Sequence, residues 1–144
     1  MRVVVQRAKE ASVSVDNKVV GKIGYGYMLL VGFTEGDNDD TISAMVKKIL
    51  NLRIMDDLDG VMNKSILDTG GEILSISQFT LYGDATKGNR PSYIRALPGE
   101  KSTILYDKFN EELAKYINVE KGIFGANMQV YLINDGPTTI LLEK

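Results

Sequence analysis

The sequence predicts an α+β domain of mixed or antiparallel strands with two main helices. Three observations carry this reading. Strand-like runs cluster towards both ends of the chain, only two segments have helical period, and strands and helices do not alternate as a regular βαβ series would require.

Taken in order, Val3-Val4-Val5 and the alternation of Val13 and Val15 with Ser12 and Ser14 predict two opening strands, and Asp16-Asn17 a turn into Val19-Val20. Gly24 and Gly26 flank Tyr25 before an apolar run over 27–33, read as a central strand. Over 41–52, Ile42, Met45, Val46, Ile49 and Leu50 fall on one helical stripe, with Asp39 and Asp40 placed where a helix N-terminus favours carboxylates. A second helix is predicted over 102–117 from Leu105, Phe109, Leu113 and Tyr116. Further strands are expected at 52–55, 72–82, 128–133 and 138–142, separated by Gly, Asp and Asn turns.

The 144 residues are expected to form one domain over 1–144, since no repeat, low-complexity stretch or linker interrupts them and only three prolines are present. No apolar run approaches the roughly 20 residues of a membrane span, and Met1-Arg2-Val3-Val4-Val5-Gln6-Arg7 is charged too early for a signal peptide, so a cytoplasmic, membrane-free protein is expected. The chain contains neither His nor Cys. That excludes a His general base, a Ser-His-Asp triad, a Cys nucleophile, a disulfide and a zinc site of the usual nitrogen and sulfur ligands. With 17 Lys+Arg against 19 Asp+Glu, giving net −2, a general nucleic-acid coat is disfavoured, although a local basic patch is not.

Several motifs have plain readings. Gly24-Tyr25-Gly26 leads into a strand, so no helix N-terminus is available for a pyrophosphate. The acidic runs at 37–40 and 56–59 lack the spacing of a calcium loop, and no metal or cofactor is expected. If 72–82 is one strand, Ser77, Gln78 and Thr80 place polar groups on both its faces, which fits either an edge strand or a site, because a buried polar group costs about 1–3 kcal/mol unless paired. The segment 85–95, with Lys87, Arg90, Arg95 and Tyr93, suits phosphate and base contacts or an ordinary surface loop. Asn134-Asp135-Gly136-Pro137-Thr138-Thr139 reads as a β-turn between two short strands.

Together, Ser77-Gln78-Phe79-Thr80-Leu81, Asn134-Asp135-Gly136-Pro137-Thr138-Thr139, Gln6-Arg7-Ala8 with Ala11-Ser12-Val13, and Phe124-Gly125-Ala126-Asn127-Met128 resemble the D-aminoacyl-tRNA deacylases, essentially end to end. The resemblance implies a barrel-like core carrying the two helices, assembled as a homodimer with its site shared across the interface. It implies a hydrolase that cleaves the ester between a D-amino acid and the 3′ end of tRNA, and removes glycine mischarged on tRNA-Ala. By the same resemblance Ser77, Gln78, Phe79 and Thr80 are catalytic-site residues, and Gly136 and Pro137, with a cis peptide, are a chiral filter inserted from the partner. The resemblance further implies that Arg7 anchors that loop and that Phe124 and Met128 bind the adenosine end.

The residues fit such chemistry without a histidine. An aminoacyl ester is already activated, so a positioned water and backbone N–H groups near Phe79 and Thr80, aimed at the developing oxyanion, suffice, with the vicinal 2′-hydroxyl assisting. Thr80 is the alternative nucleophile, but no neighbouring side-chain base stands in the motif to activate it. The rival readings are an editing domain that removes L-serine from tRNA, and a non-catalytic RNA-binding module working through the segment 87–95.

Overall fold

The computed structural model describes residues 1–144. The chain runs β1 (Arg2–Val15), β2 (Lys18–Ile23), β3 (Gly26–Gly32), α1 (Asp39–Asn51), β4 (Met55–Asp56), β5 (Met62–Lys64), α2 (Ile66–Thr69), β6 (Glu72–Ser77), a 3-10 turn (Phe79–Tyr82), α3 (Gly99–Ala114), β7 (Val119–Lys121) and β8 (Gln129–Glu143). The main sheet has six strands in the order β2-β1-β3-β6-β7, with β8 on the other edge of β1. Pairing is antiparallel around β1 and parallel for β3-β6 and β6-β7, so the predicted α+β class and mixed pairing hold.

The two opening strands are one. Val3 and Val5 on the first half of β1 and Ala11 and Val13 on the second are all buried, and the polar Lys9-Glu10 between them lies at an exposed bend. Pairing with β8 slips there, first between Gln6 and Ala8 and again between Ala8 and Ala11, which curls the sheet into a nearly closed barrel. The predicted Asp16-Asn17 turn is present, both residues having positive φ, of 50° and 62°, in the hairpin to β2.

The curl gives the sheet two cores. Tyr27, Leu29, Val31 and Ile73 face α1 and α3, whereas Met28, Leu74 and Ile76 face Ala11 and Val13 inside the barrel. Helix α1 buries the predicted stripe, and Asn38 caps it reciprocally with Thr41. Helix α3 starts earlier, at Gly99 just after Pro98, and ends at Ala114. It buries Ser102, Tyr106, Phe109, Asn110 and Leu113 and packs Leu105 against the core, so the expected stripe faces inward except for Tyr116, which lies exposed beyond the helix end, and the buried face is wider than expected. The Tyr106 hydroxyl donates to the Ser75 carbonyl at 2.8 Å, which is how a buried phenol is tolerated on the sheet.

Two further expectations are corrected. The expected strand at 72–82 ends at Ser77: Gln78 N–H makes the last bond to β3, to the Val31 carbonyl at 2.7 Å, and the chain then turns over the strand end as the 3-10 turn. Nor is β6 an edge strand, since it lies between β3 and β7. The expected β-turn at 134–139 does not join two paired strands. Both flanks pair with β1, so β8 is continuous, and residues 135–138 loop out opposite Arg7 alone. The acidic segment at 56–59 is a tight hairpin whose Asp57 carboxylate accepts from Asp59 N–H, Val61 N–H and the Asn63 amide.

Candidate active site

The ends of β3 and β6, the start of α3, the 122–128 connection and the start of β8 surround a cavity of about 300 Å³. Ser77, Gln78 and Phe79 form one wall; Phe124 and Met128 stand in another. These five expected residues are brought together. Val31, Gly32, Ser102, Asn127 and Val130 also line the cavity without having been expected, and the only signal for any of them is the Phe124-to-Met128 motif that contains Asn127.

Gly32 explains how the wall is built. A Cβ there would come within 2.9 Å of the Gln78 carbonyl and 3.3 Å of the Leu81 Cβ, so only glycine lets the 78–81 segment fold across the end of β3. Phe79 and Thr80 begin the 3-10 turn, and their N–H groups therefore lack intrahelical acceptors. Thr80 stands outside the cavity lining, and its hydroxyl oxygen accepts a hydrogen bond from the Gln78 amide. The hydroxyl proton stays available to donate. An amide N–H donor cannot activate the hydroxyl as a nucleophile.

None of the cavity-lining residues is ionisable. No group of three or more acidic side chains gathers anywhere in the fold to hold a cation. What the cavity offers is therefore apolar wall, hydroxyl, amide and backbone dipole.

Arg7, Gly136 and Pro137 are brought together elsewhere. The bulge over 135–138 is tied at its neck by Asn134, whose amide donates to the carbonyls of Arg7 and Thr138, each at 3.0 Å, while its oxygen accepts from Gln6 and Thr139, each at 3.1 Å. All the bonding capacity of that side chain is used. Beneath the bulge Arg7 is buried, 5% exposed; its Nε donates to the Asp135 carbonyl at 3.3 Å and pairs with the Asp135 carboxylate at 3.2 Å. One terminal nitrogen donates to the Ile54 carbonyl at 2.8 Å and to Asp56 at 2.9 Å. The guanidinium thus clamps the bulge to the segment after α1.

At the tip the Gly136-Pro137 peptide is cis and both residues are exposed. Gly136 has φ +117°, and a Cβ there would lie 2.6 Å from the Thr138 hydroxyl and 2.8 Å from its backbone nitrogen. The bulge does not reach its own chain's cavity. Arg7 pairs with Tyr27 at one end of β3 and the cavity opens by Gly32 at the other, a separation of about 17 Å at roughly 3.4 Å per residue.

Comparison with known proteins identifies this combination. The D-Tyr-tRNA(Tyr) deacylase family profile matches residues 4–143. A D-aminoacyl-tRNA deacylase of Clostridium botulinum (strain 657 / Type Ba4) is 53% identical over 145 residues, covering 100% of this chain and 97% of the relative. Among solved structures, the c-Myc DNA Unwinding Element Binding Protein matches with a TM-score of 0.95 at 42% identity, over 100% of this chain and 99% of that one. A probable eukaryotic D-amino acid tRNA deacylase shares the fold, with a TM-score of 0.85 at 20% identity over 98% and 97% of the two chains. The chain belongs to the D-Tyr-tRNA(Tyr) deacylase family, and it is an enzyme, a D-aminoacyl-tRNA deacylase. No helix is long and apolar enough to cross a membrane.

Proposed function

We propose that residues 1–144 act as one cytoplasmic unit that hydrolyses the ester joining a D-amino acid, or glycine mischarged on tRNA-Ala, to the terminal adenosine of tRNA. The observation that carries this reading is a cavity without any ionisable side chain, walled by Ser77, Gln78 and Phe79. An activated ester needs no side-chain base: water is oriented by the Gln78–Thr80 pair and the tRNA 2′-hydroxyl, and the oxyanion is met by the N–H groups of Phe79 and Thr80. One such donor is worth about 2.7–4 kcal/mol in acyl-transfer enzymes. Phe124 and Met128 hold the adenosine.

Selectivity comes from Gly136-Pro137 of a second copy, entering the cavity as a wall of backbone. A side-chain wall would filter poorly, since an apolar pocket separates substrates differing by a methylene by only about 1–3 kcal/mol. Rigid backbone set where an L side chain would point rejects it by collision whatever its chemistry, while D side chains point away and glycine has none. The roughly 17 Å between a chain's own bulge and cavity supports the homodimer in this reading.

The test is the rate of ester loss from D-tyrosyl-tRNA and L-tyrosyl-tRNA side by side at nanomolar enzyme with chelator present. Rapid loss of the D ester alone is expected. Loss of neither ester overturns the hydrolytic reading and favours an RNA-binding module; equal loss of both overturns the filter.

A further inference from the structure

The cavity ends at Phe79, but the aromatic surface does not. Phe79 is 56% exposed, and its ring meets Tyr93, itself 41% exposed, edge to face with centroids 5.1 Å apart and planes at 72°. Tyr93 is braced from below, because a Cβ on Gly83 would sit 3.0 Å from its ring; this glycine lets the ring lie against the backbone. The segment between them is closed by paired bonds of 2.8 Å between the backbones of Asp84 and Ser92, which projects Lys87 and Arg90 from an exposed loop. Neither cation belongs to an ion pair of the fold. Two open aromatic rings therefore stand beside a cavity proposed to take one nucleoside, and the exposed loop leading into Tyr93 carries two cations outside any ion pair.

We propose that Tyr93, with Phe79 beside it, is a stacking platform for the unpaired nucleotides just before the terminal adenosine of tRNA, with Lys87 and Arg90 meeting their phosphates. This rests on the deacylase reading and adds to it a second RNA subsite outside the cavity. The chemistry matches a single strand. Every base offers a π-face to an exposed ring, and lysine or arginine beside the ring neutralises the backbone. The two rings stand at 72°, so they offer differently oriented faces to bases that are splayed apart, not to a continuous stack. A protein partner would be served by a broader apolar surface without the cations.

The experiment compares two esters, D-tyrosyl-tRNA and D-tyrosyl-adenosine, which lacks the preceding nucleotides. Each is measured with the unmodified protein, Tyr93→Ala, Tyr93→Phe and the double variant Lys87→Ala/Arg90→Ala, with urea midpoints confirming that each variant is folded. Tyr93→Ala should raise KM for the tRNA ester by about 5- to 150-fold, from the energy of one base–aromatic stack, while kcat changes little. The same variant should leave D-tyrosyl-adenosine cleavage unchanged, and Tyr93→Phe should behave as the unmodified protein on both esters. The double variant should weaken the salt dependence of KM for the tRNA ester only. Equal losses on both esters would make Tyr93 a support for Phe79 and overturn the platform, as would no loss on the tRNA ester. If the unmodified protein cleaves neither ester, the deacylase reading fails and this subsite with it.

Discussion

Replacing Arg7 by Met keeps most of the buried stem and removes every donor. The Ile54 and Asp135 carbonyls lose a partner, and the Asp56 and Asp135 carboxylates lose their counter-charge. Breaking a buried pair by deleting one member costs about 3–5 kcal/mol. Here Asp56 is 40% and Asp135 22% exposed, so water recovers part of the loss, and the lower end, about 3 kcal/mol, applies. At about 2–4 °C per kcal/mol for a chain of this size, the melting temperature should fall by roughly 6–12 °C. The effect should be local as well as global. Exchange of the Gly136, Thr138 and Thr139 amide protons should speed up relative to the unmodified protein by more than that of β3, and the L-ester rate relative to the D-ester rate should rise about tenfold for each 1.4 kcal/mol by which the bulge is freed. Faster exchange with an unchanged D-to-L ratio would sever the link between this clamp and selectivity. Unchanged exchange would refute the clamp itself.

Three other expectations follow from the same geometry. Thr80→Ala and Thr80→Val should each lower kcat by no more than about a hundredfold on an orienting role, at the low end of what one positioned group supplies; a loss beyond about ten-thousandfold would make Thr80 the nucleophile. Because the cavity lacks ionisable side chains, kcat/KM should rise smoothly between pH 6 and 8.5 and be indifferent to chelator, whereas a bell-shaped profile or inhibition by chelator would contradict the mechanism. Burial pushes the Tyr82 phenol up to about 12 and raises those of Tyr27 and Tyr106 as well. A raised phenol contributes stability in full below its unfolded value near 10 and loses it as pH climbs towards its folded value, so stability should fall between pH 10 and 12. Tyr82→Phe should flatten that fall, and an unchanged slope in urea titrations would argue against it.

The legible parts of the fold are those where local and tertiary preferences agree. Helix α1 has an apolar stripe, carboxylates in its first turn and a polar cap, and all three act as expected. In α3 the apolar stripe faces inward through Leu105, Phe109 and Leu113, but the buried face extends to Ser102 and Asn110, which counting apolar residues passes over. Lys9 and Glu10 look like a break between strands but mark a bend within one. Asn134-Asp135-Gly136-Pro137 carries strong turn chemistry, yet its flanks find the same neighbour, β1, instead of each other, and no local signal records that choice. Likewise the 72–82 run is uniformly strand-like, and its interruption depends on Gly32 of a different strand. The candidate site residues are legible as motifs, but the distance between the two motif groups depends on register and comes only from the fold.

That separation also bears on inheritance. On the proposed reading every working site is the joint product of two chains, the cavity of one and the bulge of the other. A chain whose bulge is spoiled but whose cavity is sound, mixed with one whose cavity is blocked but whose bulge is sound, would form pairs with one fully faithful site and one dead site. Mixed pairs would thus hold a faithful site that neither allele forms alone.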